Sequence, residues 1–95
     1  MLSMMNTTAL AYQVADSIDL KAFKAGFLPE VYYEEPDEVF YELPEQRLLY
    51  VFKYGVVCFL NYDEIQIGEF IQFIFPFCNN MFEVKLTEKL QIETG

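Results

Sequence analysis

The sequence predicts an α+β domain, a ferredoxin-like βαββαβ antiparallel sheet with two helices on one face, and three observations carry that expectation. The stretch "ALAYQVA", residues 9 to 15, alternates with period two. The runs "LLYVF" and "VVCFL" are continuously apolar and are separated by only Lys53, Tyr54 and Gly55. Two segments of helical period, one after the first strand and one after the hairpin, supply the helices. A chain of 95 residues predicts a single domain spanning residues 1–95.

In the first strand Leu10, Tyr12 and Val14 fall on one side and small or polar residues on the other, as a half-buried strand requires. Asp19 is placed to cap a short helix, Ile18 and Phe23 sit at hydrophobic-staple spacing, and Gly26 is placed to end it. The following segment carries seven acids from Glu30 to Glu45, no base, and Pro29, Pro36 and Pro44. Its short apolar pieces, Val31 to Tyr33 and Val39 to Leu43, predict irregular edge strands in the least regular part of the fold.

Between the two apolar runs, Gly55 supplies the positive φ that a tight hairpin needs and is read as a structural turn residue. Runs that do not alternate point to strands buried on both faces, or to a sheet covered on one side and paired with something on the other. Asn61 or Asp63 caps the next helix and Pro76 stops it, with Ile67, Phe70, Ile71 and Ile74 on one face. The last strand begins at "FEVKL" and keeps its phase through Leu90 and Ile92, broken only by Glu88.

Histidine is absent, so triads that need an imidazole base are excluded within this chain, and two cysteines are too few for a zinc site. Cys58 and Cys78 lie in apolar surroundings and read as packing thiols. The dense acids Glu34, Glu35, Asp37 and Glu38 lack the alternating ligands and central glycine of a calcium loop, and read as a solvated segment. Catalytic, cofactor and metal residues are therefore all expected to be none, and Tyr12, Tyr50, Tyr54 and Tyr62 read as packing aromatics. A weaker rival is an enzyme that uses Tyr54 or the acids.

Fifteen acids against six bases give a net charge of −9, which opposes contact with phosphate backbones and argues against nucleic acid as a partner. No apolar stretch approaches the roughly 20 residues a membrane span needs, and "MLSMMNTTAL" lacks the basic start and apolar run of a secretory signal. The expectation is no membrane contact by this segment and an intracellular, cytoplasmic location.

The run "LLYVFKYGVVCFLNYDE", with "AYQVADSIDL" upstream and "FEVKL" downstream, resembles the required-for-meiotic-nuclear-division family, also called YagE-like, whose biochemical activity is unknown. The shared features are an early Ala-Tyr-x-x-Ala-Asp strand, an aromatic strand ending in Tyr-Gly-Val-Val, and an acid-capped helix after it. Longer family members continue into helices and a C-terminal membrane-anchoring stretch, and eukaryotic relatives are mitochondrial, one being associated with mitochondrial translation. The resemblance implies a scaffold or assembly domain and carries no catalytic residue across; the acidic balance here departs from what ribosomal RNA contact favours.

Both lines lead to a non-enzymatic protein-assembly or scaffold domain without a cofactor. The alternative is a small-molecule-binding regulatory domain, an analogy of fold alone. A homo-oligomer is expected, since one helix face cannot bury every apolar residue of the second helix. Ile65 and Phe73 point away from its packed face, Phe75 follows it, and Phe82, Val84, Leu90 and Ile92 lie on a terminal strand able to add a neighbour's strand. These seven residues are the interface candidates.

Overall fold

A computed structural model of the protein describes the backbone of residues 5–94 and the side chains of residues 9–81. The elements run β1 (Met5–Ile18), α1 (Leu20–Gly26), β2 (Tyr33–Glu35), β3 (Glu38–Leu43), β4 (Arg47–Phe52), β5 (Val56–Leu60), α2 (Glu64–Ile74) and β6 (Cys78–Thr94), with single 3-10 turns at Pro44–Gln46 and Phe75–Phe77. All strand pairs are antiparallel and form one sheet in the order β2-β3-β4-β5-β1-β6.

The ferredoxin-like expectation is thus overturned: the sheet is a six-stranded antiparallel half-barrel with two helices. The cause is the acidic, proline-punctuated segment, which forms a regular hairpin, with β2 at the edge of the sheet as expected but not irregular. Val39 and Tyr41 alternate inward and are fully buried, so the segment has a core face despite its charge. Its prolines punctuate the hairpin without interrupting it: Pro36 sits in the turn between the paired Glu35 and Glu38, and Pro44 opens the 3-10 turn after β3.

Both helices cover the same face of the sheet. Asp19 caps α1 by accepting from the Ala22 amide at 3.1 Å, and Asp63 and Gln66 form a reciprocal capping box on α2. Asn61 does not cap: it stands at φ 67 and donates through Nδ2 to the carbonyls of Glu45 and Gln46. Gly26 belongs to α1, and the helix is closed by the Phe27 amide donating to the Phe23 carbonyl.

The core lies between these helices and the sheet. Phe23 of α1 is fully buried with its ring 5.9 Å from Tyr41, 5.8 Å from Phe70, 6.0 Å from Phe77 and 5.0 Å from Phe27. Phe70 in turn meets Phe59 of β5 at 5.6 Å. Edge-to-face pairs of this kind add to the burial of large apolar area, so α1, α2, β3 and β5 are joined through one aromatic cluster.

Candidate functional site

Strand parity decides what the other face of the sheet carries. On β4, Leu49 and Val51 are fully buried, so Leu48, Tyr50 and Phe52 stand on the face turned away from the helices. On β5, Val57 and Phe59 point inward and leave Val56, Cys58 and Leu60 outward. The unbroken apolar runs of the sequence are therefore strands with one face in the core and an equally apolar face outside it.

That outer face carries a continuous aromatic row. Phe40 stacks on Tyr50 with ring centroids 4.4 Å apart, Tyr50 on Phe52 at 5.7 Å and 8° between planes, and Phe52 on Tyr54 at 5.2 Å. Beside it lies a depression of about 440 Å³ bounded by Ala9, Leu48, Tyr50, Phe52, Cys58 and Leu60. No helix covers this face among the described residues.

Two further depressions of about 380 Å³ flank the helices. One combines Phe27, Phe70 and Phe73 with Arg47, Tyr62, Gln66 and Glu69. Arg47 lies 5.2 Å above the Tyr62 ring, whose hydroxyl pKa is pushed up by burial against a smaller opposing pull from the Arg47 charge. The other lies between α1 and the β2–β3 hairpin, where Lys24 pairs with Glu34.

The acids Glu34, Glu35, Asp37 and Glu38 cluster at that hairpin, and no group of three ligating side chains able to hold a metal occurs among the described residues. Tyr33 donates to Glu35 at 2.7 Å, and this hydrogen bond, with burial and neighbouring carboxylates behind it, raises the Tyr33 pKa. Cys58 and Cys78 are both thiols; Cys58 faces outward, while Cys78 donates to the Ile74 carbonyl at 3.4 Å and burial pushes its thiol pKa up.

The interface candidates separate. Ile65 is 74% exposed and Phe75 58%. Phe73, 38% exposed, is not a lone ring in water: it lies 5.5 Å from Phe27, 5.7 Å from Phe77 and 6.1 Å from Phe23. Phe82, Val84, Leu90 and Ile92 lie on β6, with side chains outside the described residues. Their backbone does not keep one phase. A register shift between the pairs Ala11–Glu88 and Tyr12–Leu86 leaves Thr87 as an extra residue, so Leu86 is opposite Tyr12 whereas Leu90 is opposite Ala9, on the other face.

Tyr54 caps the aromatic row at 57% exposure. Sequence reasoning treated these tyrosines one by one and missed the row, although the outward positions 48, 50 and 52 of one strand and 56, 58 and 60 of the next would have revealed it once a core face was assigned.

No family model, curated protein or solved structure matches the chain. No helix is long and apolar enough to cross a membrane among the described residues.

Proposed function

We propose that this domain is a non-enzymatic assembly module that joins a second copy of itself through the outer edge of β6. The observation that supports this is the asymmetry of the two sheet edges. One edge, β2, is three residues long and carries Glu34 and Glu35, the short and charged form that discourages pairing. The opposite edge, β6, is 17 residues long and pairs only with β1 among the described residues. A strand of that length offers a row of amides and carbonyls to a two-fold related neighbour, and antiparallel pairing would make one continuous twelve-stranded sheet from two six-stranded ones.

The net charge of −9 opposes this association, so screening strengthens it. Light scattering at low and high salt tests the reading: a dimer whose population grows with salt is expected, and a monomer at hundreds of micromolar in both conditions refutes it. The small-molecule alternative is favoured by the Arg47–Tyr62 depression alone. A metabolite panel would raise the melting midpoint if it held, since ligand at about 100 times its dissociation constant adds roughly 2.7 kcal/mol.

A further inference from the structure

The outer face of the sheet has an order that its apolar content alone does not reveal. Strand register arranges it in three cross-strand rows: Glu35, Glu38 and Phe52; then Tyr33, Phe40, Tyr50 and Cys58; then Glu42, Leu48, Leu60 and Ala9. Across β2 to β5 every carboxylate in these rows stands on β2 or β3, and the β4 and β5 positions are apolar; the register carries the same face over Ala9 and Ala11 of β1 onto β6, where Leu90 and Glu88 lie opposite them. Neither lysine nor arginine occupies any of them. From β2 to β5 the face is therefore anionic over the hairpin and apolar over β4 and β5.

We infer that this face receives a basic amphipathic helix of a partner protein, its apolar stripe on Leu48, Tyr50 and Leu60 and its lysine or arginine side chains on Glu38 and Glu42. Three arguments fix the occupant. The depression at Leu48, Tyr50 and Leu60 suits apolar side chains, as the grooves that take amphipathic helices do. The carboxylates select cationic flanks and repel nucleic acid and anionic lipid, whose phosphates would lie against them. The spacing also matches: Glu38 and Glu42 are four residues apart on one strand, about 13 Å, which a helix spans in roughly nine residues. A second copy of this chain is disfavoured here because its own face is anionic too. The site is separate from the β6 edge, so it stands or falls independently of self-pairing.

The probe is a fluorescent 18-residue peptide with one leucine stripe and lysines elsewhere; a second peptide carries glutamate in place of lysine. Binding is measured on the native protein, on the double variant Glu38→Lys/Glu42→Lys, on Leu60→Ser, and on Glu64→Lys/Glu69→Lys, which alters net charge equally but on α2. Circular dichroism and melting verify the fold of each. The expected result is that the lysine peptide binds the native protein, loses about tenfold or more in affinity, ~1.4 kcal/mol, on either outer-face variant, and keeps its affinity within a small factor on the α2 variant. The glutamate peptide should bind only the Glu38→Lys/Glu42→Lys protein. Equal weakening by the α2 variant would mean diffuse charge attraction, and full affinity in Leu60→Ser would mean that the apolar depression is not used; either overturns the inference. So does binding of the native protein to anionic vesicles in preference to the peptide. Light scattering on the same samples distinguishes the two surfaces, because a dimer that ignores the peptide leaves the edge reading intact and removes this one.

Discussion

A Cβ at position 55 would fall 1.9 Å from the carbonyl oxygen of Ala15 and 2.7 Å from its carbonyl carbon. Gly55 also stands at φ 91 and accepts a hydrogen bond from the Val14 amide at 2.9 Å, so the hairpin tip is pressed onto β1. Gly55→Ala is expected to cost well over the roughly 1–2 kcal/mol of a left-handed conformation alone, because backbone must also move. Asparagine tolerates a positive φ better than other non-glycine residues, but it meets the same carbonyl and should fare no better. Thermal melting checks both variants: at about 4–8 °C per kcal/mol for a domain of this size, an unchanged midpoint would contradict the contact.

The hairpin shows what was legible and what was not. Positive φ at Gly55, the Asp19 cap and the α2 stripe of Ile67, Phe70 and Ile74 are local features, set by residues within a turn or two of one another. The approach of Ala15 to Gly55 is between residues forty apart, and no local signal carries it. The β2–β3 hairpin was obscured because its charge and prolines outweigh the two inward residues, Val39 and Tyr41, that make it a strand pair. The extra residue at Thr87 likewise leaves no mark on the alternation of Phe82, Val84 and Leu86, yet it moves Leu90 to the other face. The outer-face site was half legible: the aromatic residues were visible, but their assembly into rows needed the register.

Tyr41 is fully buried and its hydroxyl has no hydrogen-bond partner among the described residues. Burial, with a smaller contribution from the Glu34 charge, pushes its pKa up to about 12. Removing an unsatisfied hydroxyl while keeping the ring removes a desolvation cost of about 1–3 kcal/mol, so Tyr41→Phe is expected to be neutral or stabilising. Ionisation is disfavoured in the folded state, so the pH-dependent loss begins as pH rises past the ordinary tyrosine value of about 10 and is complete above the folded value. Alkaline absorbance titration should show one late phenol near pH 12 that is missing from Tyr41→Phe.

Glu45 and Gln46 sit consecutively at φ 65 and 62 in the turn between β3 and β4, where Asn61 Nδ2 donates to their carbonyls at 3.3 and 3.4 Å and Arg47 Nε donates to the Pro44 carbonyl at 3.2 Å. Glycine adopts this conformation without the Cβ penalty. Gln46→Gly is expected to raise stability by about 1 kcal/mol, read from urea unfolding, and a lower midpoint would refute the strain.

Two of the four clustered acids are already engaged, Glu34 with Lys24 and Glu35 with Tyr33. Millimolar calcium or magnesium should therefore leave the melting midpoint unchanged, and saturable binding with a defined stoichiometry would contradict a solvated hairpin tip.

Amide hydrogen exchange across β6, followed from dilute solution to hundreds of micromolar, tests self-assembly most directly. In an antiparallel strand alternate amides point to opposite edges, so those directed at β1 should be protected at every concentration. Those on the outer edge should gain protection only as concentration rises, in a pattern of every second residue interrupted at Thr87 and again between Lys85 and Met81. Outer amides that exchange at the same fast rate throughout the range would contradict pairing through this edge.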